Sequence, residues 1–128
     1  MNYEATAYIA AHQALVDLLD AEGAAAYIKI YDSGDVLLVT LPLDYPSGVV
    51  NGTTGEITFS FGSASENGVA TGTASYAEIF DFADVKHVSA IACSSGTTPV
   101  SGECVMTNLS VVSGAPVAGV SFTVPGTA

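Results

Sequence analysis

The chain has 128 residues, with 13 acids set against two bases, a formal charge of −11, and only 12% of residues charged. Both bases are lysines, Lys29 and Lys86, and there is no arginine. Two lysines cannot neutralise the phosphates that nucleic-acid binding requires. The same shortage speaks against anionic membrane surfaces, and without arginine there is no bidentate clamp on carboxylate or phosphate.

The length fits one domain spanning residues 1–128. The first element is a helix over about residues 4–22, a stretch without Gly or Pro and rich in Ala and Leu. Tyr8, Ala11, Leu15, Leu18 and Leu19 fall on one face, with His12 at its margin, and Gly23 supplies a stop. From there the period drops from 3.6 to 2, and strands fill about residues 25–125. Tyr27–Tyr31 and Val36–Leu41 form a hairpin across Asp32-Ser33-Gly34-Asp35, with Pro42 ending the second strand. Ile57, Phe59 and Phe61 alternate with Thr58 and Ser60 in the clearest half-buried strand.

Gly62–Gly68 reads as a loop, and Val69–Phe82 as a long strand with a bulge or close approach at Gly72. In Val85–Cys93, the residues Val85, His87, Ser89 and Ile91 share a face. Asn108–Val112 and Val117–Val124 complete the set. No internal repeat or interdomain linker is evident. One helix and about eight closely spaced strands predict a mainly β protein, an antiparallel β-sandwich or jelly roll, with no βαβ rhythm to build a parallel sheet.

Chemistry-bearing constellations are sparse. Neither His12 nor His87 has a His, Cys or acid at ligand spacing. On a regular strand His87 and Cys93 would share a face yet lie about 20 Å apart. There is no Gly-x-Ser-x-Gly elbow, and the glycine-rich stretches 52–55 and 68–72 lack the lysine of a phosphate loop. Asp32/Asp35 and Asp81/Asp84 could grip Ca²⁺ loosely, but solvated turn acids are the better reading. Tyr27, Tyr31 and Tyr76 read as core or interface residues, and without tryptophan a sugar-stacking platform is disfavoured. Cys93 and Cys104 bracket a Ser/Gly/Thr-rich loop. A disulfide would close it, whereas a reducing compartment would keep both as thiols. The expectation is a protein that is not an enzyme, with no catalytic residues, metal or cofactor.

The order of four segments carries a resemblance: Ile28-Lys29-Ile30-Tyr31, Leu37-Leu38-Val39-Thr40-Leu41, Ala70-Thr71-Gly72-Thr73-Ala74-Ser75-Tyr76, and Gly119-Val120-Ser121-Phe122-Thr123-Val124-Pro125. In this order they are similar to small β-rich virion proteins of tailed bacteriophages. The chain departs from that group at Tyr76-Ala77-Glu78, where the group has Trp-x-Arg, and at Phe82-Ala83-Asp84-Val85, where it has an Asp-Gly turn. The Cys93–Cys104 loop is not a feature of the group.

The resemblance implies a virion structural component, assembled in the host cytoplasm. Its expected role is a head decoration (cement) protein that acts as a homo-oligomer, a trimer by preference, and bridges major capsid protein or neighbouring virion subunits. The rival reading is a receptor- or carbohydrate-binding subunit of a turret, fibre or tail. Loops and termini are where such folds carry partners. The expected contacts are therefore Met1, Asn2 and Tyr3 at the N-terminus, Tyr45, Pro46, Asn51 and Thr53 in one loop region, and Thr97, Thr98 and Pro99 in another.

Overall fold

A computed structural model describes residues 4–62 and 65–125. It is mainly β with one N-terminal helix, as the periodicity implies. α1 (Ala5–Leu19) is followed, among the described residues, by eleven strands: β1 (Tyr27–Tyr31), β2 (Leu37–Val50), β3 (Ile57–Phe61), β4 (Ser65–Asn67), β5 (Gly72–Thr73), β6 (Tyr76–Phe80), β7 (Lys86–Ser95), β8 (Glu103–Met106), β9 (Ser110–Val111), β10 (Pro116–Ala118) and β11 (Ser121–Val124). Seven of them close a barrel in the order β1-β2-β3-β11-β8-β7-β6. The pairs β10–β4 and β5–β9 form separate two-stranded ribbons. The principal sheet is thus closed on itself, where a sandwich would present two open sheets. Closure removes the free edges that an open sheet would expose.

The barrel closes because β2 changes partner along its length. Its first part pairs with β1 and its last part with β3. The sequence reading ended this strand at Pro42, but the strand continues to Val50. Pro42 lies opposite Tyr27, the first residue of β1, where that ladder finishes. Its missing N–H therefore costs nothing. The Leu43 N–H then bonds to the Ala26 carbonyl, and residues 44–47 bulge out before Gly48 rejoins β3 opposite Phe59.

One ladder is parallel, β7 with β8, in register Ala92↔Glu103 to Ser95↔Met106. This corrects the expectation that parallel pairing is absent. A helical crossover is unnecessary here, because the chain need only step back three positions, roughly 10 Å at strand rise. The seven residues 96–102 cover that distance.

The inward positions are those expected of period 2. Ile28 and Ile30, Leu41 and Leu43, Ile57 and Phe59, Ala77 and Ile79 are all buried. Phe59 and Phe122 stack at 5.3 Å between β3 and β11. The strand predicted over Val69–Phe82 is broken, so that β5 pairs with β9 and β6 joins the barrel. Gly72 is a close approach, as anticipated: a Cβ there would sit 3.0 Å from Leu38 Cδ2. The segment Val117–Val124 is likewise split, at Gly119 (φ +70), into β10 and β11. β4, inside the predicted loop 62–68, pairs with β10.

Two predicted faces are rotated. On α1 the buried residues are Val16 and Leu19, with Tyr8, His12 and Leu15 half-buried, whereas Ala11 and Leu18 are exposed. The helix stops at Leu19, earlier than 22, and the chain then turns to Gly23 (φ +71). On β7 a bulge intervenes: Ala77 faces Ile91 while Ile79 faces Val88, and Ala90 takes φ +57. This extra residue shifts the alternation, so His87 and Ile91 do not share a face as predicted. Ala90 is exposed and pays the left-handed penalty of a Cβ-bearing residue. Ala90→Gly is therefore expected to stabilise the protein by about 0.5–1 kcal/mol, read as a higher urea midpoint.

A repeat that the sequence reading missed emerges at the two hairpins. Tyr27-x-x-Ile30-x-Asp32-x-x-Asp35-Val36-x-x-Val39 recurs as Tyr76-x-x-Ile79-x-Asp81-x-x-Asp84-Val85-x-x-Val88. The turns match in geometry. The Asp32 N–H bonds the Val36 carbonyl, the Asp35 N–H bonds the Asp32 carbonyl, and Asp32 Oδ1 accepts the Val36 N–H. Asp81, Asp84 and Val85 repeat all three bonds. Asp35 and Asp84 both take the left-handed conformation, φ +65 and +66, which aspartate tolerates better than most residues. The aspartate pairs are thus turn-formers, built by local side-chain capping, but Asp81 is buried rather than solvated as expected, because its carboxylate caps the turn and meets His87.

β1 and β6 then pair antiparallel with Lys29 opposite Glu78, the equivalent positions of the two copies. The two hairpins are related by a local two-fold through that pair.

Candidate protein-contact face

With the even positions of β1 turned inward, Tyr27, Lys29 and Tyr31 point outward. On β6 the outward set is Tyr76, Glu78 and Phe80. The register sets these opposite one another as Tyr27↔Phe80, Lys29↔Glu78 and Tyr31↔Tyr76. The Tyr31 and Tyr76 rings stack at 5.1 Å with 13° between planes. Phe82, in the β6–β7 turn and 53% exposed, stacks on Tyr27 at 6.3 Å. Lys29 Nζ lies 4.2 Å from the centroid of the Phe80 ring. Five of the eleven aromatic residues of the chain therefore share one outer face of the barrel with both of its lysines.

Both cations are paired within that face. Lys29 Nζ is 2.6 Å from Asp84 Oδ1, and Lys86 Nζ is 3.0 Å from Glu78 Oε2. Ion pairs this exposed add little stability. Their effect is to neutralise both lysines, so that the surface can be covered without stranding an unpaired cation. Tyr76 donates its hydroxyl to Asp35 Oδ1 at 2.6 Å. That hydrogen bond, helped by burial and neighbouring negative charge, pushes the phenol up to about 12. Tyr31 is also raised, first by burial and then by Glu78. Both rings stay neutral at physiological pH.

The turn beneath the face is anchored by Asp81. Its Oδ1 accepts the Val85 N–H, and its Oδ2 lies 2.9 Å from His87 Nε2. The Val85 N–H and then His87 hold the carboxyl below its usual range. A depressed carboxyl contributes stability that is present above the ordinary pKa of about 4 and is lost as pH falls through the lower folded value. Acid urea titrations should therefore show wild type losing stability across that interval. Asp81→Asn, less stable near neutrality, should lose less.

The two histidines have separate partners. The His12 ring is hydrogen-bonded through Nδ1 to the Gly55 carbonyl at 2.5 Å. It helps line an open groove of about 380 Å³ with Ala7, Tyr8 and Ala11. Among the described residues, no acid or cysteine lines this groove. A second depression, of about 230 Å³, lies between Thr107, Ser110 and Pro116. Among the described residues, no three His, Cys, Asp or Glu side chains gather as a metal cluster, and no helix is long and apolar enough to cross a membrane.

Of the residues expected to make contacts, Met1, Asn2 and Tyr3 lie outside the described residues. Tyr45 is 56% exposed and stands with Pro46 on the bulge of β2. That bulge is tied to the end of α1, because Asp20 accepts the Ser47 N–H through both carboxylate oxygens. Asn51 is a turn-former: its Oδ1 accepts the N–H groups of Thr53 and Thr54. The turn holding Asn51 and Thr53 also lies along α1, through His12 and Gly55. Thr97, Thr98 and Pro99 are exposed in a loop tied to β8 and β11 by the bonds Gly96 N–H to Met106 carbonyl and Gly102 N–H to Thr123 carbonyl.

The aromatic face as a unit was not among the expected contacts, although Tyr27, Tyr31 and Tyr76 were each read as core or interface residues. Its signal was present in the sequence. Tyr-x-Lys-x-Tyr on β1 and Tyr-x-Glu-x-Phe on β6 occupy the outward phase of strands whose inward phase is Ile-x-Ile and Ala-x-Ile.

Comparison with known proteins found no matching family model, no matching curated protein and no matching solved structure.

Proposed function

We propose that this protein is a non-enzymatic assembly component. Our preferred reading is a capsid decoration or cement protein of a tailed bacteriophage, which stabilises the head by bridging neighbouring subunits. The observation that carries the proposal is the outer face of β1 and β6. It combines five aromatic rings with two internally neutralised lysines. Interface cores favour this composition, rich in aromatics and poor in unpaired charge. The order of strand motifs shared with small phage virion proteins supports the particular reading. Binding as a homo-oligomer, a trimer by preference, would multiply contacts that are individually weak.

The second reading, a receptor- or carbohydrate-binding subunit of a turret, fibre or tail, draws on the same face. A ring flanked by an acidic group, as Tyr76 is by Asp35, is a feature that sugar sites use. Two measurements separate the readings: gold-labelled antibody against this chain on particles from the source, and a glycan array probed with the free protein. Label over the head faces with an empty array supports decoration. Label confined to vertices or tail, with array hits, supports the second reading. Absence of label from every particle overturns both.

A further inference from the structure

We propose that Cys93 and Cys104 are a preset dithiol that low-molecular-weight disulfides convert into an intramolecular bridge across the β7–β8 ladder. The two residues are direct partners in the parallel register. Adjacent strands lie about 4.8 Å apart, inside the roughly 4.4–6.8 Å that disulfide Cα pairs span. Both side chains join the core side, Cys104 fully buried and Cys93 half-buried against the cluster, and both are free thiols. The pair therefore needs rotation of side chains only, with no movement of the backbone.

The two sulfurs are unequal. The hydrogen bond from Cys104 holds the Cys93 thiol below its usual range, while the same bond together with burial pushes Cys104 up. Cys93, the more accessible, attacks first. It loses its proton to solvent, and its thiolate attacks one sulfur of the oxidant. That step forms a mixed disulfide and expels one small thiolate. Cys104 then gives up its proton as its sulfur attacks Cys93 Sγ, and the second small thiol departs. Two protein thiols are oxidised and one small disulfide is reduced to two thiols. Burial of Cys104, which persists in the mixed disulfide, makes the second step the slower one.

The ring so closed contains residues 96–102, the link between the parallel strands, with Thr97, Thr98 and Pro99 exposed on it. A protein made in a reducing cytosol and later exposed to an oxidising exterior would acquire this staple after folding. The inference holds whatever partner the aromatic face takes.

The test is incubation of the reduced, folded protein with glutathione disulfide, followed by intact-mass analysis, peptide mapping and thermal unfolding. The expected result is loss of two hydrogens, one cross-linked peptide joining residues 93 and 104, and a transition raised by about 10 °C, reversed by dithiothreitol. Cys104→Ala should stop at a stable glutathione adduct on Cys93, and Cys93→Ser should form neither bridge nor adduct. A wild-type protein that keeps its adducts without closing, that cross-links between molecules, or that stays unreacted while folded overturns the proposal.

Discussion

Replacing Gly55 by alanine is expected to destabilise the protein by about 3 kcal/mol, through a forced overlap between the 51–55 turn and the helix. Gly55 sits at φ +82, and a Cβ there would lie 2.6 Å from Tyr8 Cβ and 3.0 Å from the Ile9 nitrogen. Neither neighbour is the free end of a flexible side chain, so the helix itself must move. Moving it disturbs the burial of Val16 and Leu19, each worth about 2 kcal/mol of transfer free energy. It also disturbs the bond between the His12 ring and the Gly55 carbonyl. Gly52 in the same turn provides the control. It has no positive φ, and a Cβ there meets nothing within 4 Å. Gly52→Ala should change stability by less than about 0.5 kcal/mol. Urea midpoints of the two variants measure the difference directly. Equal midpoints would show that the helix is not seated on this turn.

The larger functional effect is expected from the aromatic face. Phe82→Ser combined with Tyr27→Ser should weaken binding to the assembled particle by at least about thirtyfold, the scale of losing one interface hot spot. Phe82 is 53% exposed and Tyr27 half-buried, so the loss of folding stability should be small by comparison. The two rings stack on each other, so the single variants should not be additive. Co-sedimentation with particles reads the binding, and urea unfolding of the free protein confirms that the barrel survives. Binding that is unchanged while the fold is intact would remove this face from the contact.

Much of the fold was legible in the chain. Alternation alone placed Ile28, Ile30, Ile57 and Phe59 in the core, and the helical run up to Gly23 marked α1. The rest depended on long-range pairing that period-2 patterns do not encode. Closure into a barrel requires β2 to exchange β1 for β3 at Pro42–Leu43, and the local sequence there reads equally well as a strand end. The parallel β7–β8 pair arises from a return of only three positions across the seven-residue link 96–102, which leaves no βαβ signature. The bulge at Ala90 is concealed because alanine gives no sign of a positive φ. The Asp-x-x-Asp-Val turns, by contrast, were visible. Their recurrence together with the flanking Tyr and Ile positions was the strongest unused signal, because it set two aromatic strands side by side.

The candidate site divides in the same way. Loop residues were expected to carry contacts because loops often do, and the structure shows Asn51 occupied in capping its own turn. Tyr27, Tyr31 and Tyr76 were read singly as core or interface residues, but their union with Phe80 and Phe82 into one outward face was not, because it depends on the pairing of β1 with β6. Aromatics in the outward phase of a chain with only two cations are what the proposed contact role rests on.

Hydroxyl-radical footprinting of the protein, free and on the particle, bears most directly on the claim that it works by being covered. Oxidation of Tyr27, Tyr31, Tyr76 and Phe82 should fall toward background on assembly. Rings that oxidise as fast on the particle as in free solution would contradict the account.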